Sequence, residues 1–179
     1  MNKTNVIQKM KYKVIDKQFS SADCMICGIK NMMSPKMKFY ICEGEPKFLI
    51  GVINAEDHHQ SYPNRMHGGM ISAVLDETLG RAVQIDDTGI WGVTIELKVL
   101  FRKPVPLHED LYCITNLDNV NNRTFSGTAK LVDKKGTVLA TAEGRYARLP
   151  ADIIATGGLT PANWFYDDTP VPEYIEIGE

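Results

Sequence analysis

The chain has 179 residues, of which 44% are hydrophobic and 23% are charged, and this suits one globular domain with a substantial core. With a formal net charge of -2, the protein does not have the positive electrostatic field on which nucleic-acid binding depends, so no nucleic-acid partner is expected. Residues 1–20 lack the apolar stretch of a signal peptide, and no later run approaches the roughly 18 apolar residues of a membrane span. We therefore expect a cytoplasmic protein without a membrane partner.

The cysteines are too few and too irregularly spaced for a disulfide framework, and we expect reduced thiols. They are Cys24, Cys27, Cys42 and Cys113. Cys24 and Cys27 form a C-x-x-C pair, which is half of a zinc site or a redox motif, but no second pair follows at zinc-finger spacing. His58 and His59 would complete such a site only through the fold. The simpler interpretation is two packed thiols in a loop that Gly28 helps to turn.

The first part of the chain, residues 1–35, is polar and irregular, and we interpret it as a lead-in with a short helix around residues 4–16 followed by a loop. Two apolar, strand-like runs follow at residues 36–43 and 47–55. The turn residues Gly-Glu-Pro at 44–46 separate them at hairpin length. This pattern predicts a β-hairpin.

A helical pattern without proline runs over residues 69–85 and predicts one long helix. The runs that follow are rich in strand-forming residues and too closely spaced for crossover helices. They cover residues 90–103, 110–133 with a break near 119–122, and 137–149. The sequence thus predicts an α+β domain over residues 36–150, in which an antiparallel sheet of about five or six strands wraps around one central helix.

The last segment, residues 151–179, changes in composition, with a Gly-Gly pair, prolines from Pro161 onward and an acidic end. Apart from the aromatic residues at 164–166, little in it is suited to a core. We expect a C-terminal tail on the surface, where it would also be able to contact a neighbouring subunit.

One face of the predicted helix consists of small residues around a single acid, Asp76. At 100° per residue, the members of this face are Gly69, Ala73, Asp76, Gly80 and, less closely, Ser72. Small side chains let a backbone or a thin ligand approach closely, and residues 70–75 carry no charge, so the carboxylate stands where burial is expected. The alternative is a surface charge, or a pair with Arg81. Glu77 points about 100° away and fits a solvated role.

The helix is preceded by His67, Gly68 and Gly69. Free N–H groups at a helix N-terminus carry partial positive charge, and glycines let a ligand oxygen reach them, so this turn is suited to an oxyanion hole. The alternatives are a glycine pair that only allows a turn and a His67 that only makes structural hydrogen bonds.

The segment HGGMISAVLDETLGRAV at 67–83 resembles the helix signature of the PaaI-like hotdog thioesterases. The family's pattern is His-Gly-Gly followed by an apolar helix with Asp or Glu nine residues after the His, and that residue here is Asp76. The C-x-x-C-G at 24–28 is similar to a lead-in found in one branch, and residues 93–107 are similar to the family's third strand and closing Lys-Pro. The resemblance covers roughly residues 20–150.

The resemblance implies an acyl-CoA thioesterase that hydrolyses a thioester to free acid and CoA. Asp76 would act as nucleophile or general base, and Gly68 with Gly69 would polarise the thioester carbonyl. Thr94 matches a strand hydroxyl that positions the water, while His67 belongs to the signature. No metal and no redox cofactor is implied, since CoA is part of the substrate.

Four further polar residues are candidates for substrate binding. Ser61 stands where some relatives carry Asn or Gln, and Asn64 is able to substitute from three residues away. Arg102 and Lys103 end a predicted strand and are candidates for the CoA phosphates, with solvated strand-end charges as the alternative. Rival functions on the same fold are a non-catalytic acyl-CoA binder, a dehydratase and a structural assembly protein.

Helix geometry predicts an oligomer. Gly69 and Asp76 are seven residues apart, about 10 Å along one helix, whereas a nucleophile and an oxyanion donor must both lie within about 3 Å of the reacting group. Two antiparallel copies of the helix would place Asp76 of one chain opposite the glycine turn of the other. We therefore expect a homodimer, or a dimer of dimers, with sites at the subunit interface, and the resemblance implies the same arrangement.

Overall fold

The computed structural model describes residues 9–178, in which ten strands and two α-helices follow one another along the chain. The elements are β1 (Met10–Lys17), β2 (Ser20–Ser21), β3 (Lys38–Cys42), β4 (Phe48–Asn54), α1 (Gly68–Ala82), β5 (Ile90–Phe101), β6 (Asp110–Val120), β7 (Thr124–Val132), β8 (Val138–Pro150), α2 (Ala151–Ile154), β9 (Trp164–Phe165) and β10 (Tyr174–Ile177). Single 3₁₀ turns lie at Asp57–His59 and Val83–Ile85.

The main sheet has eight strands in the order β10-β1-β3-β4-β6-β7-β8-β5, and every pairing in it is antiparallel. The helix α1 packs across it, most extensively on β5. The predicted hairpin, the long helix and the four following strands are therefore confirmed, as is the α+β class. The predicted count of five or six strands was too low, because β1 and β10 from the two ends of the chain extend the sheet.

The predicted N-terminal helix around residues 4–16 is wrong for the part that the structure describes, since residues 10–17 form β1. Residues 4–8 lie outside the described residues. Lys11 and Lys13 are exposed, while Val14 between β3 and β10 is buried. Polar and apolar residues alternate with period two here, and this alternation fits a strand that has one face on the core.

The C-terminal segment is not a tail on the surface. Strand β10 pairs with β1, and its Ile175 and Ile177 are buried, while the short β9 pairs with β2. The composition of residues 151–179 does not predict that this segment adds a strand to the sheet. Only the alternation Tyr-Ile-Glu-Ile at 174–177 is typical of a strand.

A partly buried ion cluster around Asp167 ties the segment between β9 and β10 to the start of the domain. The Asp167 carboxylate accepts hydrogen bonds from Lys38 Nζ at 2.7 Å, from the Ser20 hydroxyl and from the Thr169 N–H, and Lys17 Nζ lies 3.4 Å away. Burial acts to raise the pKa of the Asp167 carboxyl, but the donors on Lys38, Ser20 and Thr169 together hold it well below its usual range.

The sheet is buried on both faces over β4 and β6, because α1 covers the concave face and the terminal strands help to cover the other. Leu49 and Cys113 belong to the core beneath α1, whereas their neighbours Ile50 and Ile114 belong to a second cluster that includes Ile177. Such strands read as continuous apolar runs, as in the sequence FLIGVI of β4. Within residues 9–178, no helix is both long and apolar enough to cross a membrane.

Candidate active site

Two hydroxyl groups donate hydrogen bonds to the carboxylate of Asp76. Thr94 Oγ1 donates to Asp76 Oδ1 at 2.9 Å, and the Tyr146 hydroxyl donates to the same oxygen at 3.0 Å. Among residues 9–178, no group donates to Oδ2. The acid is thus half-buried, fixed through one oxygen and open through the other.

The two hydroxyls come together because Thr94 on β5 and Tyr146 on β8 are direct cross-strand partners. Paired residues point to the same face of a sheet. A register shift follows between Thr94 and Glu96, so the pair lies next to a bulge in the edge strand, where side chains are commonly re-aimed. Thr94, which the resemblance predicts to position the water, thus donates directly to Asp76.

A close approach between α1 and β5 brings Asp76 within reach of these hydroxyls. A Cβ at Gly92 would lie 2.6 Å from the Gly80 carbonyl oxygen and 2.6 Å from the Phe125 ring. Only glycine fits there, and its absent side chain sets the spacing between helix and strand. Tyr146 is itself fixed by a stacked contact with Phe125, with ring centroids 4.9 Å apart.

Sequence reasoning missed Tyr146. Its position in β8 follows the alternation in which Ala142, Gly144 and Tyr146 are buried while Glu143 and Arg145 are exposed. A buried tyrosine hydroxyl needs a hydrogen-bond partner, and this was the available signal. Burial, followed by the adjacent Asp76 charge and the hydrogen bond to it, raises the pKa of Tyr146, so the phenol remains a donor at neutral pH.

At the start of α1, the structure separates the roles of the two glycines. His67 is the N-cap, and its Nδ1 accepts the Gly69 N–H at 2.9 Å. The Gly69 N–H is therefore satisfied within the chain. The Gly68 N–H has no acceptor within residues 9–178, and a Cβ added at Gly68 would lie 3.6 Å from the ring of Phe101. Gly68 is the donor that this turn leaves open.

Two of the substrate-binding candidates lie in a tight turn before the helix. The Ser61 N–H donates to the Arg65 carbonyl, the Arg65 N–H donates to the Tyr62 carbonyl, and Asn64 adopts φ 58°. Asparagine tolerates this left-handed conformation better than most residues, so Asn64 has a local reason to be there. Both Ser61 and Asn64 are exposed.

Arg102 and Lys103 directly follow β5, and both are exposed. Their N–H groups both donate to the Leu139 carbonyl, which fixes the backbone at this corner. Neither side chain forms an ion pair with another residue of the described part of the chain. Phe101, next to Arg102, contacts Gly68, so these two cations lie at the end of the strand that is nearest the helix start.

A cavity of about 540 Å³ lies beside Asp76. The helix contributes Asp76, Gly80 and Arg81 to its wall, and β5 contributes Trp91 and Thr94. Cys24 and residues 154–159 complete the wall together with Trp164. Sequence reasoning did not foresee this contribution of the two terminal segments.

Glu77 is not solvated as predicted. Its Oε1 accepts from Arg81 Nε at 2.7 Å, and Arg81 is only 4% exposed. The pair also lies against Cys27, whose Sγ is 3.5 Å from the same Glu77 oxygen. Arg81 thus forms its ion pair with Glu77 and not with Asp76.

His58 and His59 do not complete a metal site with the C-x-x-C pair. His59 Nδ1 accepts the Glu56 N–H, and its Nε2 bonds to the Met33 carbonyl, both at 2.9 Å. In the described part of the chain, the group of potential ligands around the pair consists of Cys24, Cys27 and Glu77.

Comparison with known proteins agrees with this geometry. Residues 64–140 match the family model of the Thioesterase superfamily, and the match includes the glycine turn, Asp76 and Thr94. This match covers less than half of the chain. The human protein acyl-coenzyme A thioesterase 13 is 22% identical over 111 residues, which are 62% of this chain and 79% of that protein.

Solved thioesterase structures share the fold. A thioesterase superfamily protein superposes with a TM-score of 0.60 at 23% identity, over 69% of this chain and 62% of that one. The PaaI protein of E. coli gives 0.57 at 14% identity, over 64% of this chain and 80% of its own. A Streptococcus pneumoniae thioesterase protein solved with coenzyme A gives 0.53 at 16% identity, over 57% and 82%. The chain thus shares the hotdog fold of these structures.

Proposed function

We propose that this thioester hydrolase cleaves acyl-CoA to the free acid and CoA, with Asp76 as nucleophile or general base. The observation that carries the proposal is the arrangement around Asp76: two neutral hydroxyls fix Oδ1, and the carboxylate lines a cavity. Neutral donors orient a carboxylate without cancelling its charge, as a paired cation would do.

The proposed hydrolysis consumes one water molecule and follows one of two routes. As general base, Asp76 takes a proton from water, the oxygen of that water attacks the thioester carbon, and the C–S bond breaks as the proton passes to the departing thiolate. As nucleophile, the carboxylate attacks the carbon itself and expels the CoA thiolate, and water then hydrolyses the resulting anhydride, which releases the free acid, regenerates the Asp76 carboxylate and supplies the proton that the thiolate takes. In both routes the carbonyl oxygen becomes an oxyanion that needs an N–H donor.

The Gly68 N–H supplies that donor from a second subunit. Gly68 and Asp76 are eight residues apart on one unbroken helix, which separates them by about 12 Å. The Gly68 N–H and the Asp76 carboxylate of one copy of α1 are therefore too far apart to act on the same thioester carbonyl group. Strand β5 is an edge of the sheet with exposed apolar side chains, among them Val93 (37%), Ile95 (49%) and Phe101 (57%). An apolar edge strand is suited to pairing with another copy, and a two-fold axis there generates two sites.

The acyl-CoA substrate is supported by the family, by the relative named as an acyl-CoA thioesterase and by the fold neighbour solved with coenzyme A. Arg102 and Lys103 are free to meet CoA phosphates beside the helix start. The cytoplasmic location, the absence of a cofactor and the roles of Ser61 and Asn64 remain predictions.

The first test measures released thiol with a panel of short, medium, long and aromatic acyl-CoAs. Asp76→Asn should lower turnover roughly 100-fold or more and leave a folded protein. Asp86→Asn is the matched control, because Asp86 is an exposed acid just beyond α1 whose pair with Lys47 lies at the surface. Wild-type protein that binds acyl-CoA without turnover would support the non-catalytic binder instead, and an Asp76→Asn variant with normal turnover would remove Asp76 from the mechanism.

The second test concerns the shared site. Gly68→Pro deletes the N–H at the first helical position, where proline is tolerated, and His67 at ψ 137° already has the extended conformation that precedes proline. Gly68→Ala keeps the N–H and is the control. Asp76→Ala and Gly68→Pro chains should each be inactive, and random mixing should restore about a quarter of wild-type activity, because half of the dimers are mixed and each has one working site of two. Verified mixed dimers without activity would contradict a site built from two chains.

A further inference from the structure

The C-x-x-C pair is held in a turn that places its sulfur atoms side by side. The Gly28 N–H donates to the Cys24 carbonyl oxygen at 2.9 Å, and a Cβ at Gly28 would lie 2.3 Å from that oxygen. Only glycine permits so tight a turn at this position. The two sulfur atoms and a Glu77 carboxylate oxygen all lie within 4.8 Å of one another.

The two thiols have different surroundings. Cys24 is half-buried and lines the Asp76 cavity, whereas Cys27 is fully buried behind it. Cys24 Sγ accepts the Ile26 N–H at 3.3 Å. The hydrogen bond from the Cys27 thiol lowers the pKa of Cys24 to about 6, against burial and the Glu77 charge, and the same bond followed by burial raises the pKa of Cys27. Cys24 is therefore the more accessible thiol of the pair and the one whose pKa is lowered.

The remaining cysteines differ from Cys24. Cys42 and Cys113 are both buried without exposure, and burial raises the pKa of each to about 12. The thiolate is the form that reacts with disulfides. Of the four cysteines, Cys24 alone combines access with thiolate character.

Arg81 distinguishes a thiol pair from a metal site. Its Nη2 donates to Cys27 Sγ at 3.0 Å and its Nε donates to Glu77 at 2.7 Å, so a buried cation already occupies two of the three potential ligands. Nη1 bonds to the Phe19 carbonyl, and the guanidinium lies over the ring of Trp164. A zinc ion would have to compete with this guanidinium for Cys27 and Glu77.

We propose that Cys24 and Cys27 form a reversible dithiol–disulfide pair in the wall of the Asp76 cavity, which reacts with low-molecular-weight disulfides. The Cys24 thiolate attacks one sulfur of the disulfide RSSR, which forms a mixed disulfide and expels RS⁻. Cys27 then attacks Cys24 Sγ, its proton passes to the departing sulfur, and a second RSH leaves. Two protein thiols are oxidised to one disulfide while RSSR is reduced to two thiols. C-x-x-C pairs with an accessible first thiol are suited to this exchange.

The test equilibrates the whole protein in glutathione buffers of graded potential, traps the thiols with acid and an alkylating agent, and locates them by mass spectrometry. We expect two thiols per chain to disappear together from the peptide that contains Cys24 and Cys27. The transition should follow a two-electron curve, with about 30 mV for each tenfold change in the ratio of disulfide to dithiol. The readout is independent of thioesterase activity, so it succeeds or fails separately from the proposed hydrolysis.

Two variants and one measurement sharpen the result. Cys27→Ala should arrest the reaction at a glutathione adduct on Cys24. It should also raise the pKa of Cys24, measured by the pH dependence of its alkylation, from about 6 toward the ordinary thiol value of about 8.5. Cys42→Ser is the control and should leave the transition unchanged. Thiols that stay reduced in fully oxidised buffer would overturn the proposal. One zinc ion per chain that protects both thiols from alkylation would also overturn it, in favour of a metal site.

Discussion

Replacement of Tyr146 by Phe isolates the hydroxyl that sequence reasoning missed. The buried ring keeps its stacking on Phe125, so the fold should lose little, and what disappears is the 3.0 Å hydrogen bond to Asp76 Oδ1. A hydrogen bond to a charged group contributes about 1.5–3 kcal/mol. Thr94 still donates to the same oxygen, and water enters the site from the cavity, so we expect the lower part of that range. This corresponds to a loss of roughly tenfold in kcat/KM.

The assay compares wild type, Tyr146→Phe, Thr94→Val and the double variant by thiol release across the pH range. The double variant should lose more than the product of the single effects, since each hydroxyl partly replaces the other. An unchanged rate in Tyr146→Phe, with the ring still packed, would refute the role given to this hydroxyl.

The other predictions concern Thr94 and Asp167. Thr94→Ala should cost less activity than Asp76→Ala, because Thr94 orients and does not react, and equal losses would indicate a primary role. Asp167→Asn should lower the free energy of unfolding by about 2–4 kcal/mol at pH 7, because it leaves Lys17 and Lys38 partly buried without their carboxylate. Since the pKa of Asp167 is lowered in the folded state, this stability is present above the unfolded value near 4 and is lost as the pH falls below it. Urea unfolding at pH 7 and pH 3 should therefore show a difference between the two proteins that shrinks at the lower pH.

The order of strands and helix could be predicted because it rests on local patterns. The hairpin β3–β4, the helix α1 and the strands β5–β8 each carry their own periodicity and turn residues. The terminal strands β1 and β10 could not be predicted in the same way. They pair with each other across almost the whole chain, so the contact that makes them part of the sheet is not visible in the local alternation of either one.

The candidate site divides along the same line. The motif at 67–83 was sufficient to locate Asp76 and the glycine turn, and Thr94 followed from the resemblance. Tyr146 required the contact between α1 and β8, and this contact depends on the spacing that Gly92 sets between helix and strand. The cavity wall required Cys24 and Trp164, which reach α1 from opposite ends of the chain.

The different states of Asp76 and Glu77 follow from helix geometry and from the cover that the terminal segments provide. Arg81 is four residues after Glu77, the separation at which side chains on a helix meet, and five after Asp76, about 140° around the axis. Spacing therefore disfavours the alternative pair of Asp76 with Arg81, and in the structure Arg81 pairs with Glu77. The burial of the pair that does form was not visible from the helix, since Phe39 and Trp164 enclose the guanidinium from distant parts of the chain. Glu77 is thereby paired with a buried cation, whereas its neighbour Asp76 is held by two hydroxyls and lines the cavity.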